Sequence, residues 1–419
     1  MWTKFPLSVE ICHGVAKEFA TPVWLYDANT IVDRLKLCQV FDTVRYAIKA
    51  NSNLAVLSLL KEHGAVVDAV SAGEIQRALM AGFVGTSEVP GVVYTADVFD
   101  DEALALIKKY SIPVNVGSPD MISQLGEAGI KVPLTIRINP GFGHGHSRKT
   151  NTGGDLSKHG VWHEQLSQCV QKAKELDIPI TGLHIHIGSG ADLEHLALVC
   201  DAMLECSKVL GSDLRYISAG GGLSIPYRKN EEDAVDVGEY FKLWDETRQK
   251  IEKQVGHKIR LELEPGRFIV AESGFLIAQI RAVKKMGENL FYLIDAGFTD
   301  LVRPAFYGAW HEISVIARDG RPLDEVAPVI VAGPLCESGD VFTQEEGGFV
   351  VTRNLPLAQV GDYVVIHDAG AYGATMSSNY NSRFYAAEVM WKENAAKLIR
   401  KRQSFEHLIA NELLQMRRY

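Results

Sequence analysis

The run Val44-Arg45-Tyr46-Ala47-Ile48-Lys49-Ala50-Asn51 decides how this chain is read. Its apolar residues alternate poorly and it ends in polar ones, the pattern of a buried parallel strand that runs into a loop. A lysine at such a strand end is costly, because an ammonium taken out of water without a partner is destabilised and tends to shed its proton. Desolvated in that way, Lys49 would be a nucleophile. Snorkelling to solvent, it would be only a cation at a strand end. Both readings stand on this segment alone.

Similar short β-branched runs recur beyond it: Val66 to Val70, Val92 to Ala96, Pro113 to Gly117, Leu134 to Ile138, Thr181 to Ile187, Tyr216 to Ala219 and Ile259 to Leu263. Amphipathic segments separate them, among them Asn53 to His63, Ser71 to Ala81 and Asp100 to Tyr110. Strands alternating with helices predict parallel βα units, and about eight of them predict an α/β chain built on a closed (β/α)8 TIM-like barrel, ahead of an open doubly wound sheet. From about Phe275 the pattern changes to strands without regular helices: Leu276 to Val283, Leu290 to Ile294, Val329 to Val331, Gly348 to Val351 and Tyr363 to Ile366. The expected organisation is a barrel over 28–274 and a mostly antiparallel β domain made of 1–27 and 275–419, which contributes to the active site.

Composition narrows the function classes. The 419 residues are 47% hydrophobic and 23% charged, ordinary for a globular protein, and the formal net charge of -9 argues against nucleic acid or an anionic membrane as partner. The basic cluster Lys397-Leu398-Ile399-Arg400-Lys401-Arg402 is short and reads as the solvated face of a strand or helix. Six cysteines, Cys12, Cys38, Cys169, Cys200, Cys206 and Cys336, lack CxxC spacing, so no metal site or disulfide framework is expected and a reducing cytoplasm fits best. No signal peptide or membrane span is read.

Barrel active sites lie at the C-terminal ends of the strands, and the chemically unusual residues gather there. Lys49 follows the first strand, Asp68 and Ser71 the second, Arg137 and Asn139 the fifth, His184 and His186 the sixth, Gly220-Gly221-Gly222 the seventh and Glu264-Pro265-Gly266-Arg267 the eighth. A glycine turn lets backbone N–H groups approach an anion, although a tight structural turn would look the same. Gly188-Ser189-Gly190 adds a hydroxyl and Arg267 a permanent cation. Alternation sends Glu262 and Glu264 to one side of their strand, where a carboxylate needs a partner: a pyridinium nitrogen, or Arg137 in a structural ion pair. His186 could lie flat over an aromatic ring or be an ordinary core histidine. His144, His146, His159 and His163 cluster in sequence, but mostly in a Gly-, Ser- and Thr-rich stretch from Gly141 to Gly160 that reads as an active-site loop rather than a metal site. A lysine nucleophile, an anion cradle and a carboxylate for a ring nitrogen together point to pyridoxal 5'-phosphate.

These motifs, with Cys336-Glu337-Ser338-Gly339-Asp340 and Ala369-Gly370-Ala371-Tyr372, resemble in order those of the fold-type III pyridoxal-phosphate decarboxylases over nearly the whole chain. The nearest branch is the one that acts on diaminopimelate. The resemblance implies that Lys49 anchors the cofactor covalently, His186 stacks on its ring and Glu264 binds its nitrogen, with Ser189, Gly221, Gly222, Gly266, Arg267 and Tyr372 on its phosphate. Asp68 and Arg137 are counted with the cofactor's contacts. It further implies that Arg267, Arg303, Tyr307, Glu337 and Tyr372 meet the substrate, that Cys336 donates a proton, and that a homodimer shares its active sites. The implied reaction is decarboxylation of meso-2,6-diaminopimelate to L-lysine and carbon dioxide, the last step of lysine biosynthesis. Two departures stand out: His159 in Ser157-Lys158-His159-Gly160 replaces a frequent aromatic, and Phe384 follows Arg383 where proline is usual. A racemase on the same barrel and a noncatalytic relative acting through heterodimers are the alternatives. Lys49, Glu264 and Cys336 together weigh against the second.

Overall fold

A computed structural model describes residues 7–86, 88–143, 152–188, 192–228 and 236–416. They fall into two compact units, one of 32–225 with 233–268, the other of 1–31, 226–232 and 269–419. In the first, the strands Thr43–Ala47, Val66–Ala69, Val92–Ala96, Val114–Val116, Leu134–Asn139, Ile180–Ile185, Tyr216–Ser218 and Arg260–Leu263 pair in parallel, each with the next. The last returns to the first, with Glu262 opposite Thr43 and Leu263 opposite Val44, so the barrel closes. The helices between them begin at side-chain caps. Asn53 accepts from the Ala55 amide at 2.9 Å, Ser71 from Glu74 at 3.2 Å and Asp100 from Ala103 at 2.6 Å, each worth about 1 kcal/mol.

The barrel's interior departs from the branched aliphatic filling usual for this fold. Register places Ala47 beside Asp68, Thr95 beside Asn115, Arg137 beside His184, and Ser218 between His184 and Glu262. All of these are buried. Groups of this kind must find partners or cost free energy, and the lumen is therefore a set of pairings. Among them is that of Arg45, whose Nε and Nη2 lie 3.2 and 3.1 Å from Glu262 Oε2 while Nη1 donates to the Pro90 carbonyl at 3.0 Å. Glu262 is thus spent on Arg45. Gly182 leaves the room this layer needs, since a Cβ there would come within 2.5 Å of the Tyr216 ring. Arg45→Ala should cost about 3–5 kcal/mol by stranding the Glu262 charge, which urea denaturation would read as a lowered midpoint.

The second unit is a mixed, mostly antiparallel nine-stranded sheet. Its central strand Gly274–Met286 pairs with Val23–Asp27, Asn289–Ile294 and Tyr363–Ile366. Period-two alternation gives it two apolar faces. Trp24, Tyr26, Leu276 and Val364 lie on one, while Val23, Leu25, Phe275 and Ile277 lie on the other, covered by Cys12, Val15 and Ala16 of the helix Val9–Phe19. The strand expected at Gly348 to Val351 is absent. Gly347 and Gly348 adopt φ +86° and +81° there, only Gln344 and Val350 form a bridge, and the strand follows at Arg353–Pro356. The basic cluster begins on the half-solvated strand Ala395–Arg400 and runs past it; Arg400 pairs with buried Glu388 at 2.9 Å and Arg402 donates to the Ala20 and Pro22 carbonyls at 3.1 and 2.7 Å, so it is only in part a solvated face. Among the described residues no helix is long and apolar enough to cross a membrane.

Candidate active site

Lys49 projects from a single 3-10 turn, Ile48–Ala50, directly after the strand Thr43–Ala47. The turn is pinned from below: the buried Tyr46 hydroxyl donates to the Asn51 carbonyl at 3.0 Å, and Asn51 Oδ1 accepts from the Asn53 amide at 3.1 Å. The side chain of Lys49 itself is exposed. The desolvation expected from a buried strand end is therefore not what distinguishes it, because the chain has already left the strand. What distinguishes it is its company. Burial raises the carboxyls of Asp68 and Glu74, and the Lys49 charge opposes that rise; the same charge helps, after burial and Arg137, to depress the His186 imidazole.

Glu264 is held from two sides. Ser218 Oγ donates to its Oε1 at 2.7 Å, and the buried His184 places Nε2 3.0 Å from Oε2, a charge contact off hydrogen-bond alignment. Its own amide donates to the Gly220 carbonyl at 2.7 Å. Burial works to raise this carboxyl, but His184 and Ser218 outweigh it and keep it below the usual carboxylate range. Asp68 shifts the other way, raised by burial and by Glu264, and its Oδ1 has no hydrogen-bond partner among the described residues. Neither His184 nor Ser218 announces this role in the sequence, since the contacts bridge 80 and 46 positions.

Arg137 is 8% exposed, and among the described residues its guanidinium has no hydrogen-bond acceptor. A buried cation in that state calls for an acceptor that the described residues do not supply. The half-buried His186 lies against the glycine turn, where a Cβ on Gly221 or Gly222 would stand 3.7 or 3.8 Å from its ring. Burial first, then Arg137, Lys49 and His184, drive its imidazole well down, so the ring is neutral. At Gly220-Gly221-Gly222 a Cβ would meet the carbonyls of Ile185, Glu264 and Gly188 at 2.5, 2.7 and 2.9 Å. Packing alone therefore demands these glycines. The Gly221 and Gly222 amides, which have no acceptor among the described residues, are the donors open to an anion. Gly266 is buried, and Arg267 opens the short helix Arg267–Val270. Ser189 lies outside the described residues, as do His144 and His146. His159 pairs through Nδ1 with Asp97 at 2.5 Å, and the Gly160 amide donates to the same carboxylate at 3.2 Å, tying this loop to the strand Val92–Ala96.

The remaining expected residues belong to the β unit. Arg303 and Tyr307 sit one turn apart on the helix Arg303–Tyr307, and Arg303 is buried, its Nη1 donating to the Tyr227 hydroxyl at 3.1 Å. Cys336 and Glu337 are exposed on a turn built around buried Asp340, whose carboxylate accepts from the Phe298 and Leu335 amides at 2.7 and 2.8 Å. The Cys336 amide donates to Asn381 Oδ1 at 2.9 Å. Tyr372 is half-buried at φ +57°, a left-handed conformation in which a bulky residue is strained. Gly370 beside it has no alternative, since a Cβ would stand 1.9 Å from the Val270 carbonyl oxygen.

An exposed amine at a barrel mouth, with a buried guanidinium, a buried Asp68 oxygen and the Gly221 and Gly222 amides that find no hydrogen-bond partner among the described residues, suits a planar, phosphorylated aldehyde with a basic ring nitrogen. The comparisons agree. The family model for the pyridoxal-binding domain of pyridoxal-dependent decarboxylases matches residues 30–271. The diaminopimelate decarboxylase of Escherichia coli K12 is 51% identical over 414 residues, 98% of each chain. A crystal structure of a diaminopimelate decarboxylase superposes with a TM-score of 0.95 at 51% identity over 99% of both chains. That of the Helicobacter pylori enzyme complexed with L-lysine gives 0.84 at 34% identity over 96% of this chain and 99% of that one. The chain belongs to the pyridoxal-dependent decarboxylases and, within them, to the diaminopimelate decarboxylase family.

Proposed function

We propose that this enzyme decarboxylates meso-2,6-diaminopimelate to L-lysine and carbon dioxide, the closing step of lysine biosynthesis, with pyridoxal 5'-phosphate as its cofactor. The observation that carries this reading is the 51% identity with the E. coli decarboxylase along the full length of both units. Bound pyridoxal phosphate supplies the electron sink for the pair released when the bond from Cα to the carboxylate breaks. Lys49 would hold it through its Nζ and would release it to the substrate amine. Glu264, ionised, would hold a proton on the ring nitrogen, and the neutral His186 ring would pack against the cofactor. Arg137 and Asp68 would also contact the cofactor. Ser189, Gly221, Gly222, Gly266, Arg267 and Tyr372 hold the phosphate, and Cys336 returns a proton to Cα.

Arg267, Arg303, Tyr307, Glu337 and Tyr372 are assigned to the substrate. Arg303 is suited to the distal carboxylate because its planar fork can bind two oxygens at once. The enzyme is further proposed to be cytoplasmic and a homodimer in which Cys336 and Glu337 serve the partner's barrel; sedimentation of the holoenzyme at monomer mass would refute the dimer. Ornithine ends in a cation where diaminopimelate has a carboxylate and an amine. Losing the charged hydrogen bonds to that carboxylate is worth about 1.5–3 kcal/mol, so kcat/KM for ornithine should be at least about tenfold lower. Faster turnover of ornithine would overturn the substrate assignment.

A further inference from the structure

We infer that His311 is a positioning residue that sets the carboxylate fork of Arg303, and with it the preference for a substrate carrying a second carboxylate. The inference rests on the assignment of Arg303 to that carboxylate. Both side chains are buried, His311 at 2% and Arg303 at 6% exposure. Arg303 Nη1 lies 2.9 Å from His311 Nε2, and His311 Nδ1 lies 2.9 Å from the His367 carbonyl oxygen. A guanidinium has donors only, so Nε2 must be the acceptor; a carbonyl accepts only, so Nδ1 must carry the hydrogen. The imidazole is therefore neutral, and its tautomer is fixed by its two neighbours.

The same Nη1 also donates to the Tyr227 hydroxyl at 3.1 Å, and the Tyr227 ring stands edge-on to His311 with centroids 5.5 Å apart. Both hydrogens of that nitrogen are thus committed, which fixes the plane of the guanidinium at one corner. His311 in turn is anchored by the fold. It lies two residues before the strand Ile313–Ile316, and the His367 amide donates to the Glu312 carbonyl at 2.9 Å, so the acceptor of Nδ1 is held beside it. Removing the ring would leave Nη1 with a buried unsatisfied hydrogen and let the fork turn.

Loss of carbon dioxide from the meso compound yields the L-amino acid, so the carboxylate that stays is the L-configured, distal one. L-Lysine keeps that group and 1,5-diaminopentane lacks it. The test compares the two as competitive inhibitors of the holoenzyme. His311→Phe should raise the inhibition constant for L-lysine and the KM for diaminopimelate about tenfold, as expected for loss of a hydrogen bond to a charged group. It should leave kcat and inhibition by diaminopentane within about twofold, because the lost interaction is with the distal carboxylate, which diaminopentane lacks and which is bound alike in ground and transition states. His311→Gln, whose side-chain oxygen can accept from Arg303, should restore lysine inhibition. If the phenylalanine variant does not fold, His311→Asn replaces it, since asparagine can still donate to the His367 carbonyl but is shorter toward Arg303. Arg303→Met separates the two assumptions. If it does not selectively weaken L-lysine, the assignment of Arg303 falls and the role of His311 falls with it. If it does, but the His311 variants weaken both ligands alike or neither, the inference alone is overturned.

Discussion

Lys49→Ala should yield a folded protein that cannot retain pyridoxal phosphate covalently and turns over no measurable diaminopimelate. In wild-type holoenzyme, borohydride should fix the cofactor to a single peptide containing Lys49; in the variant no peptide should be labelled. Folding should survive because the turn that carries Lys49 does not depend on its side chain: Tyr46, Asn51 and Asn53 pin the backbone, and Lys49 itself is exposed. A positioned proton-transfer group alone is worth about 10²–10⁴ in rate, and loss of the covalent anchor adds to that. Supplying methylamine should recover part of the rate if the missing element is an amine. Label on any other lysine would overturn the assignment, and so would a variant that keeps its turnover.

The barrel was legible because each strand is a short apolar run and each intervening helix has its own period, so the eight runs announce themselves locally. The location of Lys49 was legible for the same reason, but its environment was not. Whether a strand-end residue is buried depends on how the next few residues turn, and here a 3-10 turn lifts the amine into solvent. In the β unit, Gly348 to Val351 contains the β-branched residues of a strand, yet two successive glycines at positive φ convert its start into a turn and move the strand on to Arg353. Least legible were the pairings inside the lumen and around Arg303. Ser218, His184 and Arg45 acquire their partners only through strand register, and His311 is oriented toward Arg303 by the His367 carbonyl, 56 positions away. A pattern along the chain shows which residues can carry chemistry. It does not show what holds them in place.

Glu264→Gln should retain the fold and the cofactor while losing about a hundred- to a thousandfold in kcat. The glutamine oxygen can still accept from Ser218 Oγ, which now bonds Oε1 at 2.7 Å, so the geometry is largely preserved and only the charge is removed. That charge has a definite worth. A carboxylate about 4 Å from a protonated ring nitrogen, at an effective dielectric near 20, contributes about 4 kcal/mol, and nearly a thousandfold in rate if felt mainly as charge flows into the ring. The lumen is built to keep Glu264 ionised, since His184 and Ser218 hold its carboxyl below the usual range against the pull of burial. A carboxyl depressed in this way is fully charged above its ordinary titration range and loses its charge only as pH falls well below it. The sign of the pH dependence follows: an acid limb of kcat lying between about pH 5 and 7 cannot come from Glu264, and should persist in the glutamine variant at its reduced rate. Asp68, raised by burial and by Glu264 itself, titrates nearer that window, and removing the Glu264 charge should move its titration downward. A variant with normal cofactor content and undiminished kcat would show that the ring nitrogen does not need this carboxylate, and would leave Glu264 as a structural partner for His184 and Ser218.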